Sequence, residues 1–373
     1  VYYAVTIDLN GHVLKMGDIA DGSVIKIESH GDLTITDSNP TAEHKFTPNA
    51  DGLWVLDETG GTEIVKGGVI YGGTGTEMYY STYGGGVLIE SGGQFTMNGG
   101  SIVGCKADGA GGGVVVKCDD ANGIFTMNGG AIIGCVAGSG GGVETDGGVV
   151  GEYGTFTMNG GVIDSCVATG SAGGGGVRSD GLFIMGKDAT IKNCKAVQYG
   201  QRNFGSGIVL AGDDRQTVDG TIIAEDAVDG KYIFVNRSTV AIGENANIHA
   251  NITLDGGKID LGGSSATIYG KITNDSYGGA GCFADGLVTV TYKVNNEDYA
   301  TQILRSGSTA TRPAAPTVPA GRTFDGWYKA DGTKWDFNTA VTEDTTLAGW
   351  LYVPVTNETE LTAALQDNTA GMI

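Results

Sequence analysis

Phe95-Thr96-Met97-Asn98-Gly99-Gly100-Ser101-Ile102-Val103-Gly104-Cys105 is the stretch that decides the fold, because the chain repeats it. Phe-Thr-Met-Asn-Gly-Gly returns at 125–130 and 156–161, each time followed by an isoleucine (Ile102, Ile132, Ile163) and then a cysteine (Cys105, Cys135, Cys166). A degenerate fourth copy keeps Phe183, Met185, Ile191 and Cys194, so the cysteines recur every 28 to 31 residues. A second motif alternates with the first. Gly84-Gly85-Gly86-Val87 returns at 111–114, 140–143 and 174–177, and weakly as Gly205-Ser206-Gly207-Ile208. Each period therefore holds three short apolar runs separated by Gly, Asn or Asp. Runs of this length and glycine content cannot be helices, and three strands in about 30 residues describe one rung of a solenoid. The fold class expected is all-β: a right-handed parallel β-helix.

Within a rung, residues two apart point the same way. Phe95 and Met97 are expected inside with Ile102 and Cys105, and Thr96 outside. Stacking rungs in register puts like on like. Phe95, Phe125, Phe156 and Phe183 should form one column, and Asn98, Asn128 and Asn159 an amide ladder at a corner. Cys105, Cys135, Cys166 and Cys194 should form a third column of free buried thiols. Neighbouring rungs bring their Cα atoms within disulfide range, but parallel in-register side chains point the wrong way to bond. Cys118 and Cys282 fall outside the pattern. Less regular segments continue it in both directions, from Val5–His12 upstream to Ile259–Leu261 downstream, which places the β-helix at residues 1–283.

Composition agrees. Glycine contributes 67 of 373 residues and proline 6, yet 40% of the chain is hydrophobic, so the glycines punctuate an ordered core. The net charge of −21 opposes nucleic acid and anionic membrane, and no apolar run is long enough to span a bilayer, so no membrane insertion is expected. The four histidines are scattered, which argues against a transition-metal site. No cofactor is expected, Asp- and Asn-rich corners offering at most weak calcium binding. No signal peptide is visible at Val1 and no sorting signal at Ile373, so the chain is expected to be a segment of a longer protein.

The alternation of Phe-x-x-Asn with Gly-Gly-hydrophobic resembles the repeats of chlamydial polymorphic outer-membrane adhesins and of adhesin-like β-helix proteins of gut bacteria. The third glycine and the cysteine column depart from that pattern. Residues 287–353 resemble a Listeria–Bacteroides repeat, the B repeat of internalin-type proteins, through Val288–Tyr292, Pro313, Pro316, Phe324-Asp325-Gly326-Trp327-Tyr328, Trp335-Asp336-Phe337 and Trp350. That resemblance implies a small β-grasp-like module with a core of Phe324, Trp327, Trp335, Phe337 and Trp350. Residues 354–373 resemble the capping helix that begins such β-helices, started by Thr359 or by Asn357, and so the start of a following module.

These resemblances imply an extracellular location at the bacterial cell surface. The function expected is a non-catalytic adhesin or surface-structural segment that binds host glycan or glycoprotein, mucin and immunoglobulin included, beside neighbouring modules of the same parent chain or assembly. The binding candidates are Tyr79, Tyr80 and Tyr83, on an excursion before the first Gly-Gly-Gly strand. Two alternatives stand. One is a carbohydrate-active β-helix enzyme, a polysaccharide lyase or glycoside hydrolase, for which Asp119, Asp120, Asp213, Asp214 and Arg215 are the catalytic candidates, two adjacent acidic pairs with a basic residue after the second. The other is a rigid stalk or filament module with no ligand of its own.

Overall fold

The computed structural model describes residues 4–17, 21–78, 80–148, 152–197, 205, 207–212, 215–224, 232–263, 265–274 and 281–366. The side chains of Arg215, Cys282 and residues 363–366 lie outside the description. Each period folds into three strands on three faces. The valine of every Gly-Gly-Gly-Val motif starts a strand of a nine-stranded sheet that runs from Ile25–Ile27 to Ile272–Asn274. Its neighbours are parallel and in register, as in Val87↔Val114 and Val143↔Val177. The Phe-Thr-Met runs stack on a second face, with Phe95↔Phe125 and Phe125↔Phe156 in register. The isoleucine runs form the third, with Ile102↔Ile132 and Ile132↔Ile163. The second and third faces count as one sheet because Thr155–Asp164 and Leu182–Lys192 run through both.

The predicted columns are present. The phenylalanine rings stack at 4.9, 4.7 and 5.3 Å between centroids, from Phe95 through Phe183. Asn128 Nδ2 donates to Asn98 Oδ1 and Asn159 Nδ2 to Asn128 Oδ1, both at 2.8 Å. Cys105, Cys135, Cys166 and Cys194 are buried free thiols. Burial pushes the first three well above the usual thiol range, as for thiols that fill core space. The aromatic column ends at Gln216, the residue before Thr217, which pairs with Ile184. Gln216 is fully buried and satisfied: its Oε1 accepts from the Phe183 amide and its Nε2 donates to the Gly181 carbonyl, both at 2.7 Å.

The Gly-Gly-Gly triplet reflects close approach of chains. At its second position the backbone runs against two other stretches of chain. A Cβ on Gly112 would lie 2.5 Å from the Gly141 oxygen and 2.6 Å from the Val136 oxygen. At the third position a Cβ on Gly86 would meet Ile102 at 2.5 Å and the Cys105 sulfur at 3.4 Å.

Two excursions interrupt the rungs. Ser81–Tyr83 pairs antiparallel with Thr76–Met78 as a hairpin. Residues 43–66 form a three-stranded antiparallel arm, Trp54–Leu56, Glu43–Pro48 and Glu63–Lys66, which the repeat pattern did not announce. The arm folds back onto the isoleucine face. Its Phe46 is fully buried with Val65, Val69 and Val103, and packs edge-on against Tyr71 at 5.8 Å.

The last parallel pairing of the solenoid among the described residues ends at Phe283, opposite Ile259. The following module is a mixed sheet in the order Glu297–Arg305, Leu287–Val294, Thr345–Tyr352, Thr323–Tyr328, with its two central strands parallel. That order is the β-grasp arrangement, with the connection across residues 310–322 non-helical. Trp327 and Trp335 are buried in the module core, with Phe324 and Phe337 packed against it. Trp350 departs from expectation. It stands outside that core and stacks on Tyr328 at 4.1 Å, because the buried positions of its strand belong to Leu347 and Leu351. The module also joins the solenoid: Glu297–Arg305 pairs antiparallel with Ser265–Ile268, so it covers an edge that stacking alone would leave open. The helix Glu358–Gln366 follows, and Asn357 caps it by accepting from the Glu360 amide at 2.9 Å.

Candidate functional site: the cleft between arm and solenoid

The turn before each cysteine needs a left-handed residue, and the chain supplies Gly104, Gly134, Ser165 and Asn193 in succession (φ 59°, 56°, 54° and 53°). The first two are glycines, and the arm lies over them. A Cβ on Gly104 would lie 1.8 Å from the Trp54 carbonyl oxygen, and one on Gly134 would lie 2.1 Å from the Trp54 ring. The Trp54 amide donates to the Gly134 carbonyl at 3.0 Å. Beyond them the residues become polar and the arm no longer fills the space. Its tip rests on the next strands, where a Cβ on Gly52 would meet Val167 at 2.6 Å.

Between the two lies a cavity of about 430 Å³. One wall is the arm, with Asn49, Trp54 and Glu63; the other is the solenoid, with Ser165, Asn193, Lys195 and Tyr232. The volume suits a small ligand. An indole wall with amide, hydroxyl and charged groups around it is the lining that sugars use: apolar CH faces against the ring, hydroxyls to the polar rim. At this corner Asn193 donates to Asp164 Oδ1 at 3.0 Å, while its own Oδ1 is buried with no hydrogen-bond partner. Tyr232 is held by the Cys194 amide, which donates to its hydroxyl at 3.2 Å.

The residues singled out from sequence are dispersed. Tyr80 is fully exposed, with φ 69°. Tyr83 packs over Leu88, Ala110 and Val115, and the Lys117 ammonium sits 4.5 Å from its ring centre. Tyr79 lies outside the described residues, as do Asp213 and Asp214. Arg215 begins the strand Arg215–Val218. Asp119 and Asp120 are exposed in a turn organised by Ser91, whose hydroxyl accepts from both their amides and donates to Asp120 Oδ1 at 3.0 Å.

A different set of charges does converge. On the outward side of the valine sheet, Glu144 stands beside Arg178 of the next rung. Just past those strand ends, Lys117 holds Asp146 at 2.7 Å, and Arg178 grips Asp180 with two bonds of 2.9 and 2.8 Å. Arg178 also reaches Glu144 at 3.9 Å, and Ser139 donates to that carboxyl. These are residues two apart on stacked rungs, a spacing that a search for adjacent acidic pairs does not detect. Among the described residues no group of three or more His, Cys, Asp or Glu is placed to hold a metal ion.

Burial pushes the Glu144 carboxyl up to about 7, against the pull of Ser139 and Arg178. Its folded-state value therefore exceeds its unfolded one, near 4.5. The folded chain holds the extra proton between those values, so stability falls as pH rises from about 4.5 to about 7. Glu144→Gln removes the penalty. It is expected to be near neutral at pH 4.5 and to stabilise by on the order of 2–3 kcal/mol at pH 8, read as the difference in urea midpoints of variant and parent. An equal effect at both pH values would refute the assignment.

Residues 289–348 match the Listeria–Bacteroides repeat domain. That repeat is typical of bacterial surface proteins. The chain matches no curated protein sequence. No helix among the described residues is long and apolar enough to cross a membrane.

Proposed function

We propose that this chain is a non-catalytic adhesive segment of a bacterial surface protein, and that it holds host glycan, free or on a glycoprotein such as mucin or immunoglobulin, in the cleft between arm and solenoid. The observation that carries this reading is the cavity walled by Trp54 and rimmed by Asn49, Ser165, Asn193 and Lys195. A solenoid of stacked rungs is a stiff support for such a cleft, since each rung is fixed by in-register neighbours. Host-facing exposure accords with the surface character of the Listeria–Bacteroides repeat.

The test is retention of glycans and secreted glycoproteins by the purified chain, with the mass of each retained ligand checked. Trp54→Ala is expected to weaken retention at least ~10-fold, the scale of one lost sugar–aromatic contact. Retention unchanged in Trp54→Ala would remove the cleft from the account, and no retention of any ligand would leave the stalk reading.

One observation favours a second reading. Glu144, Asp146, Arg178 and Asp180 gather on adjacent rungs with Lys117, and a carbohydrate-active β-helix needs such a set: a carboxyl that holds its proton up toward neutrality, a second carboxyl and a cation beside it. In that case a retained polysaccharide would come back shortened, and Glu144→Gln would abolish the shortening without affecting retention.

A further inference from the structure

The module's sheet has a buried face and an open one. Along Thr345–Tyr352, Leu347 and Leu351 are buried, while Thr346, Ala348 and Trp350 alternate with them on the other face. That open face carries a second cavity, of about 500 Å³, lined among others by Lys293, Asn295, Asn296, Thr346, Ala348 and Trp350. Ala348 makes the hollow, because it stands between two larger residues in one row: Lys293 is its register partner on one side and Tyr328 on the other. Trp350 is half-buried at this cavity. Tyr328 stacks on it at 4.1 Å with the rings 11° from parallel, which holds the indole in one orientation without covering it. The rim is the two-residue turn between Leu287–Val294 and Glu297–Arg305. Asn295 and Asn296 are exposed there, and both take left-handed backbone (φ 52° and 66°).

The charges at this cavity are already matched. Lys293 donates to Asp298 at 2.6 Å, Arg322 is likewise engaged, and the lining holds no carboxylate. An ionic ligand would have to displace a pair that exists. What remains for a ligand is an indole, a small apolar floor, the Thr346 hydroxyl and two amides. A neutral sugar ring matches that set. Its C–H face lies against the indole, and its hydroxyls meet amides that both donate and accept. Of the four tryptophans in the chain, Trp327 and Trp335 are buried in the module core and Trp54 belongs to the arm, so Trp350 is the one that the module presents to a ligand.

We infer that the module binds an uncharged saccharide, with a pyranose ring on Trp350 and its hydroxyls on Asn295 and Asn296. This site is separate from the arm cleft, so the two can fail independently. The full chain is titrated calorimetrically with two uncharged tetrasaccharides, lacto-N-tetraose and cellotetraose. At least one is expected to bind, with an affinity that changes by less than ~2-fold as salt is raised, because no ion pair forms. Trp350→Ala should weaken binding at least ~10-fold, and Trp350→Phe should restore most of it. Ala348→Gln fills the floor from an exposed position and should block the site. Asn295→Gly combined with Asn296→Gly removes both amides and suits the left-handed turn, so a loss of binding there is lost recognition and not lost folding. Trp54→Ala should leave binding unchanged. Loss in Trp54→Ala with retention in Trp350→Ala would put the sugar in the arm cleft, overturning this inference and leaving the cleft standing. Binding of neither tetrasaccharide, or unchanged binding in Ala348→Gln or in the double glycine variant, would also overturn it. Near-ultraviolet circular dichroism identifies any variant that has lost its fold. Should Trp350→Ala unfold, Ala348→Gln and the double glycine variant decide the outcome.

Discussion

Gly141→Ala is expected to destabilise the solenoid by at least about 4 kcal/mol, although it adds a single methyl group. A Cβ at this position would lie 2.4 Å from the Val167 carbonyl oxygen and 2.6 Å from that of Gly175. Both are backbone atoms held in ladders, so neither can swing aside as a side-chain end would. The Gly141 amide itself donates to Gly174, and Gly113 donates back to the Gly141 carbonyl, so moving residue 141 disturbs the rungs on both sides. Gly85 and Gly112 repeat the situation on the two preceding rungs. Gly17 provides the control, since nothing lies within 4 Å of a Cβ there and its backbone is not left-handed. Urea denaturation followed by far-ultraviolet circular dichroism should show a large drop in midpoint for Gly141→Ala and little change for Gly17→Ala. A loss at Gly141 no larger than about 1 kcal/mol, the ordinary difference between Gly and Ala, would mean that the rungs can separate at low cost.

The same glycines show what a single sequence can and cannot reveal here. Columns were legible because stacking converts spacing along the chain into contact: Phe95, Phe125, Phe156 and Phe183 had to meet once the period was about 30 residues. The arm was not legible, because residues 43–66 occur once and leave no repeat to read. Its trace was present in the outward positions of the isoleucine runs, which read Tyr71, Val103 and Ile133 and then Asp164 and Lys192. Exposed rungs would not keep three apolar residues facing out. The apolar members mark where the arm lies, and the Lys192–Asp164 pair, at 3.3 Å, marks where its cover ends. Both the arm and the cleft beneath its tip are thus marked only by how this one column changes from rung to rung.

The charged face was missed for a related reason. Asp119 and Asp120 are adjacent in sequence, but adjacent strand residues point to opposite faces, and these two lie in an exposed turn. Glu144 and Asp146 are two apart, and Arg178 and Asp180 repeat the spacing one rung later, so stacking gathers all four. The valine runs change at this point from Val87-Leu88-Ile89 and Val114-Val115-Val116 to Val143-Glu144-Thr145 and Val177-Arg178-Ser179. The inward third place changes with the outward middle one: Thr145 and Ser179 are fully buried and hydrogen-bonded to each other at 3.0 Å. A polar band therefore crosses the sheet from core to surface and reaches Gln216 through Ser179.

That band meets Gln216 two rungs beyond Phe156. Its ring lies 4.7 Å from Phe125 and 5.3 Å from Phe183, is fully buried, and sits where the apolar column is about to give way to Gln216. Phe156→Ala removes both stacking contacts and leaves a cavity that the rigid neighbouring rungs cannot close, for an expected cost of about 3–5 kcal/mol. Phe95→Ala should cost less, because Phe95 stacks on one ring, and its register partner on the other side is Leu33. Phe156→Leu keeps most of the volume and should cost under about 1.5 kcal/mol. In a solenoid each rung is stabilised chiefly by its two neighbours, so a gap in the middle weakens the coupling between the halves as well as the whole. Hydrogen exchange should then show the amides on the two sides of residue 156 opening with different free energies in Phe156→Ala, where the parent opens as one unit. Equal losses for Phe95→Ala and Phe156→Ala would mean that ring stacking adds nothing beyond buried area, and the column would be an ordinary core that happens to repeat.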